Sequence, residues 1–300
     1  MSNLNDIKVG FIGIGNMGWP MALNLHKAGY NLTVFDMDKA RAEKFAADNG
    51  GLSAASLSEL GDMDFVITML PNGHVVREVL LETEDGAFIQ NARPGCIVID
   101  MSSAEPTGTR QLATDLAEKQ VTLIDAPVSG GVARAELGTL AIMIGAEDAK
   151  ALEKARPLLQ VMGELLFETG GIGSGHATKA LNNLIAATSF VATSEAMLAA
   201  RRFGLDLTTF NSVVNVSTGH NFMTDKVMKD HVIDGKYATG FAMGLLVKDV
   251  GIANDLCDAV NMEAPLSRMV LKRWQEALEQ KEFSADNTEA IMVWDDMENR

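Results

Sequence analysis

KVGFIGIGNMGWPMALNLHKAG, Lys8 to Gly29, decides how the first half of this chain is read. KVGFIGI is apolar with a β-rich rhythm. It runs into GIGNMG, with glycines at 13, 15 and 18, and a helical pattern follows at once. A bare GxGxxG is weak, but strand, turn and helix in this order are the context its mechanism needs. Gly13 permits the tight turn, Gly15 lets a diphosphate approach the backbone, and Gly18 lets the helix pack against the strand. The helix N-terminus then offers N–H groups to an anion. Ile14, Asn16 and Met17 complete the turn.

The next strand, LTVFD, ends at Asp36, eighteen residues beyond Gly18. That is the expected place for a carboxylate accepting hydrogen bonds from an adenosine ribose. A 2′-phosphate there would meet like charge, so NAD is favoured. Lys39 and Arg41 lie close in sequence and leave NADP open. A structural glycine turn in another α/β protein, or an FAD site, is the competing reading.

Outward from this stretch, β-rich runs recur at DFVITML, CIVIDM, TLIDAP, LAIMIGA and ELLFET, with helical stretches between many of them. Apolar strands separated by amphipathic helices predict an α/β domain: a doubly wound parallel sheet of the Rossmann type, covered on both faces. From about residue 175 convincing strands stop and helical period takes over, predicting a C-terminal all-helical domain. The expected division is residues 1–165 and 166–300, near the GGIGSG stretch.

With 300 residues and 47% hydrophobic content the chain can build sizeable cores. A formal charge of −15 makes nucleic acid an unexpected partner. Cys96 and Cys257 belong to no paired motif and read as buried thiols in a reducing compartment. The five histidines show no metal-ligand spacing. The N-terminal stretch has no basic leader or cleavage motif, which points to the cytoplasm. The run LIAATSFVATSEAMLAA holds Ser, Thr and Glu195, and reads as a buried helix rather than a membrane span.

TMLPN leaves a strand at Leu70–Pro71 and IDMSS leaves another at Ser102–Ser103. Ligands lie beyond such carboxyl ends in open α/β sheets, though each could be an ordinary loop. DAPVSGG offers Ser129, Gly130 and Gly131, whose hydroxyl and amides suit a carboxylate or simply form a capped glycine turn. GSGHATKALNN holds Lys179 among small apolar residues, with Asn183 four residues on and hence on the same helix face. Desolvation and a nearby cationic nicotinamide would lower the pKa of such an amine. It could then exchange a proton with a substrate oxygen that Asn183 holds in line.

GFIGIGNMGWPMALNLHKAG, DAPVSGG with GTL, GSGHATKALNN and KDVGIA, in that order, resemble the β-hydroxyacid dehydrogenase family. That family includes 3-hydroxyisobutyrate dehydrogenase and semialdehyde reductases, with 6-phosphogluconate dehydrogenase as a distant cousin. The resemblance spans nearly the whole chain. It implies that Lys179 is the catalytic acid/base, that Asn183 positions substrate, and that Ser129, Gly130 and Gly131 bind its carboxylate. It implies cofactor contacts at Leu70, Pro71, Ser103 and Lys248. By pattern alone Lys248 reads as a surface lysine. The resemblance further implies a long interdomain helix, a substrate in the interdomain cleft, and homodimers or homotetramers.

Tartronate semialdehyde, succinic semialdehyde and sulfolactaldehyde are alternative substrates. A non-catalytic dinucleotide sensor is an alternative of another class, opposed by the presence of Lys179, Asn183 and the SGG stretch. Imine or phosphosugar reduction is a third. Ser217–Lys226 is expected to face the cleft, where relatives differ by substrate. Trp19, beside the glycine turn, has no sequence-level explanation.

Overall fold

The computed structural model describes residues 4–83 and 87–298, so Met1–Asn3 of the N-terminal stretch read above lie outside it. The chain divides into two compact units, Met1–Lys179 and Ala180–Arg300.

The first unit is built on one sheet. Its strands are β1 (Lys8–Ile12), β2 (Asn31–Phe35), β3 (Leu52–Ser53), β4 (Phe65–Thr68), β5 (Ile97–Asp100), β6 (Thr122–Asp125), β7 (Val128–Ser129), β8 (Leu140–Gly145) and β9 (Gly163–Gly170). The order is β3-β2-β1-β4-β5-β6-β8-β7, with β9 also paired to β8. The first six are parallel. Between them run α1 (Gly18–Lys27), α2 (Lys39–Asn49), α3 (Gly73–Arg77) and α4 (Pro106–Ala117). The order reverses direction between β1 and β4, and the crevice at their carboxyl ends is where such sheets take ligands.

Period-2 alternation divides the strand residues between two cores. Phe65 and Ile67 join Phe11, Leu32, Val34 and Ile99 on one face, packed by Met21, Ala22 and Leu25 of α1. Val66 joins Ile12, Phe35 and Val98 on the other, packed by Leu57, Leu60, Leu112 and Leu116. Interior parallel strands bury both faces, which is why β4 and β5 carry no exposed residue.

The parallel Rossmann sheet expected from the sequence carries an antiparallel addition beyond β6. β8 runs antiparallel to β6 and β7. The connection before it holds only α5 (Gly131–Leu137). Seven helical residues span about 10 Å, too little to return the chain along the sheet, so the next strand comes back the other way. The longer α6 (Ala149–Met162) makes the return, and β9 is parallel to β8.

α7 (Ser174–Phe203) begins in the first unit and continues into the second. It is long and apolar enough by composition to cross a membrane, yet half of its most apolar window is buried inside the fold. The second unit adds α8 (Leu207–Asn215), a π-helix at Met223–Ile233, α9 (Met243–Ala259), α10 (Pro265–Leu278) and α11 (Ala290–Glu298). Its core centres on Phe190, Trp274 and Trp294, with ring centroids 5.2 to 5.9 Å apart. The indole of Trp274 donates to the Ala187 carbonyl and that of Trp294 to the Arg273 carbonyl, so neither buried N–H is orphaned.

Candidate active site

The glycine turn is packed from two sides and open on a third. Gly13 has φ +90°, and a Cβ there would lie 2.5 Å from the Met69 carbonyl oxygen at the end of β4. A Cβ on Gly18 would collide with the Gly13 carbonyl. Gly15 differs: no atom lies within 4 Å of where its Cβ would be. That gap is a cradle which a side chain would fill and a diphosphate would fit. Met17 stands at the N-cap of α1 with no side-chain cap, and Asn16 is exposed. The Trp19 N–H donates to the Gly15 carbonyl and Pro20 has no N–H, so an anion would be met by amides before Trp19. Ile14 is fully buried and contributes its backbone rather than its side chain. Trp19 packs edge-to-face on Phe45 of α2, with ring centroids 5.0 Å apart. Its role is therefore packing between α1 and α2.

Asp36 is buried at the end of β2. Its Oδ2 accepts the Ile14 N–H at 2.9 Å, and its Oδ1 accepts the Asp38 N–H at 2.9 Å. Arg41 Nη1 lies 3.3 Å from Oδ1. A carboxylate has about four lone-pair sites. The two amides take one each and Arg41 Nη1 donates toward both oxygens at 3.3 and 3.4 Å, so ribose hydroxyls would compete with Arg41 for the rest.

Leu70 reaches the glycine turn, its Cδ2 2.8 Å from the position of a Gly13 Cβ. Its N–H donates to Ser102 Oγ at 2.9 Å, tying the β4 loop to the β5 loop. Pro71 is exposed beside it, and Ser103 is half-buried after Ser102. These strand-end residues therefore gather at the switch point with Gly13. Ser129 ends β7 half-buried, and Gly130 (φ +136°) and Gly131 (φ +67°) start α5. A Cβ on Gly131 would meet nothing within 4 Å, whereas one on Gly130 would lie 2.7 Å from Arg134 Cδ.

Lys179 is half-buried and Asn183 buried, one turn apart on α7. The amide of Asn183 is held on both sides. Its Nδ2 donates to Asp249 Oδ2 at 2.6 Å, and its Oδ1 accepts from Asn182 Nδ2 at 3.1 Å. Nδ2 keeps a second hydrogen for a ligand oxygen. Lys248 is mostly buried on α9, with Nζ 3.3 Å from Asp249 Oδ1. Leu181 and Ile185 are exposed, so α7 does not bury the face that carries them.

Two acids escaped the sequence reading. Asp249 sat in the quoted KDVGIA without a role. Asp125 opened DAPVSGG, and its carboxylate binds the Gly173 N–H at 2.7 Å and the His176 N–H at 2.9 Å. Burial pushes this carboxyl up, while His176 and those two amides pull it down. The available signal was an acid inside each motif that neither strand nor helix period required. In Ser217–Lys226, Phe222 is exposed, and Asn221 Oδ1 accepts the Met223 N–H at 2.8 Å, making a local turn. Among the described residues no His, Cys, Asp and Glu grouping could hold a metal ion.

Residues 8–171 match the family model described as the NAD binding domain of 6-phosphogluconate dehydrogenase. Residues 173–294 match the one described as the NAD-binding of NADP-dependent 3-hydroxyisobutyrate dehydrogenase. The mitochondrial 3-hydroxyisobutyrate dehydrogenase of Drosophila melanogaster is 38% identical, over 92% of this chain and 87% of its own. The 2-(hydroxymethyl)glutarate dehydrogenase of Eubacterium barkeri is 33% identical, over 97% of this chain and 96% of its own. A solved Mycobacterium tuberculosis 3-hydroxyisobutyrate dehydrogenase with L-serine superposes with TM-score 0.86 at 31% identity, over 96% of this chain and 99% of that one.

Proposed function

The chain belongs to the β-hydroxyacid dehydrogenase family, and from that premise we propose that it interconverts a small β-hydroxyacid of the 3-hydroxyisobutyrate kind and its semialdehyde, with NAD as cofactor and Lys179 as general acid/base. The cofactor would be held by the turn from Gly13 to Gly18, by Asp36, and by Leu70, Pro71, Ser103 and Lys248. Bound there, NAD supplies the acceptor for the hydride leaving the carbinol carbon.

The chain's own residues manage the proton and the orientation. Removing hydride from a C–OH carbon requires removing a proton from the oxygen, and Lys179 takes it. In the reverse direction the Lys179 ammonium returns it to the forming alkoxide. Asn183 donates its spare N–H to the same oxygen, which fixes the oxygen in line with the amine. The Ser129 hydroxyl and the Gly130 and Gly131 amides hold the substrate carboxylate. What carries this reading is the fixed amide of Asn183, one helical turn from a half-buried lysine. Its bonds to Asp249 and Asn182 offset the cost of burial and leave one N–H for a ligand oxygen.

A homodimer or homotetramer in the cytoplasm completes the reading, and two buried free thiols suit that reducing compartment. The test is NADH formation with 3-hydroxyisobutyrate, glycerate, 4-hydroxybutyrate, L-serine and a sulfonate analogue. Turnover of 3-hydroxyisobutyrate or L-serine supports it. Tight NAD binding with no turnover of any acid would replace it with a dinucleotide sensor.

A further inference from the structure

The first turn of α7 sits over buried groups that the reaction chemistry above does not use. Asp100 ends β5 and Asp125 ends β6, and each is at most 1% exposed. The His176 imidazole, also 1% exposed, lies against both. Its Nδ1 is 2.7 Å from Thr109 Oγ1 on α4. Its Nε2 is 3.6 Å from Asp100 Oδ2, and its Nδ1 is 4.0 Å from Asp125 Oδ2. The Thr109 hydroxyl donates to the Glu105 carbonyl at 3.0 Å, so Nδ1 carries a hydrogen and donates to Thr109. Nε2 then faces Asp100 and has no hydrogen bond of ordinary length.

The contacts extend to both ends of the site. Asp100 Oδ1 accepts from the Thr68 hydroxyl at 2.8 Å and the Ser102 N–H at 3.0 Å. Ser102 Oγ in turn accepts the Leu70 N–H. On the other side, Asp125 takes the Gly173 and His176 amides, which a helix start otherwise leaves unpaired. Arg110 and Glu147 are the remaining charged groups close by, and they grip the Ile172 carbonyl and amide. A continuous line of polar groups thus joins the strand-end loops to the first turn of α7, three residues before Lys179.

We infer that His176 is a positioning residue: set between Asp100 and Thr109, it holds the first turn of α7 and thereby places the Lys179 amine. The inference rests on the reading of Lys179 given above. An apolar side chain could fill the same volume, but it would offer Thr109 no donor. Packing and positioning are therefore separable. Asn at 176 can present a donor where Nδ1 now sits, whereas Leu cannot.

The test compares the full chain with His176→Leu and His176→Asn. It reads thermal melting, NAD affinity, kcat and KM against pH, and the pH dependence of Lys179 acylation by a small amine reagent followed by mass spectrometry. The expected result for Leu is a kcat lowered at least tenfold, NAD affinity within about twofold, and a displaced acylation profile at Lys179. Asn should restore kcat to within about threefold. Should Leu fail to fold, Thr109→Val removes the same bond from the opposite side and should give the same pattern. Unchanged kcat and acylation profiles in Leu, or loss that Asn does not recover, would overturn the inference. Acylation needs no turnover, so it is independent of whether Lys179 is the base. Wild-type turnover by Lys179→Ala would overturn that assignment instead.

Discussion

Asn183 on α7 donates from Nδ2 to Oδ2 of Asp249 on α9 at 2.6 Å, and both side chains are buried. A charge-assisted bond this short fixes the plane of the amide. Asp249→Ala releases it. The expected effect is a fall in kcat/KM of about ten- to a hundredfold, roughly 1.4–2.7 kcal/mol of transition-state stabilisation. NAD affinity should fall by less, since Lys248 loses only its ion-pair partner. Steady-state kinetics with a calorimetric NAD titration check this, and an undiminished kcat/KM would remove Asn183 from the reacting centre.

Lys179→Ala should lose turnover by at least about a hundredfold, the usual scale for a missing general acid/base. Lys179→Arg should not recover it, because a guanidinium does not give up its proton near neutrality. Both variants should bind NAD as the parent does. Fluorescence titration and single-turnover assays separate the two properties.

Gly15→Ala and Gly18→Ala should fail differently. Gly18 lies against the Gly13 carbonyl, so an added methyl forces the backbone apart at a cost of about 1–3 kcal/mol. Gly15 faces empty space, so its variant should melt like the parent and bind NAD weakly. If Gly15→Ala kept full NAD affinity, the diphosphate would have to lie elsewhere.

Asp36→Asn keeps an acceptor for the Ile14 amide and removes the negative charge. With Arg41 beside it, the ratio of kcat/KM for NADP over NAD should rise at least about tenfold. Assays with both cofactors measure that ratio directly. Asp36→Ala should add a stability loss of about 1–3 kcal/mol, because the buried Ile14 N–H loses its partner.

Burial pushes the Cys96 thiol up to about 12. The folded state therefore keeps its proton where the unfolded chain, near 9, begins to lose it. Stability from this group is complete below that unfolded value and fades as pH rises toward 12. Cys96→Ala should flatten the decline of melting temperature over this alkaline window. Alkylation at pH 8 should mark Cys96 only after denaturation.

Local chemistry made much of this molecule readable in advance. The glycine turn was legible because φ +90° at Gly13 and the close packing at Gly18 are demands that only glycine meets. The strands were legible because Phe65, Val66 and Ile67 alternate between two cores. The reversal at β8 was not, since it depends on how far the short α5 carries the chain. Trp19 was unreadable for a similar reason, as its partner Phe45 belongs to another helix.

By itself the sequence determined the nucleotide-binding strand–turn–helix, the change from strand rhythm to helix rhythm, and the pairing of Lys179 with Asn183 on one helix face. All three are set by neighbours within a few residues. Only the tertiary structure decided which acids serve them. Asp249 meets Asn183 from 66 residues away, and Asp125 meets the His176 amide from 51. A buried polar group needs a partner of the right chemistry but carries no sign of where in the chain that partner lies.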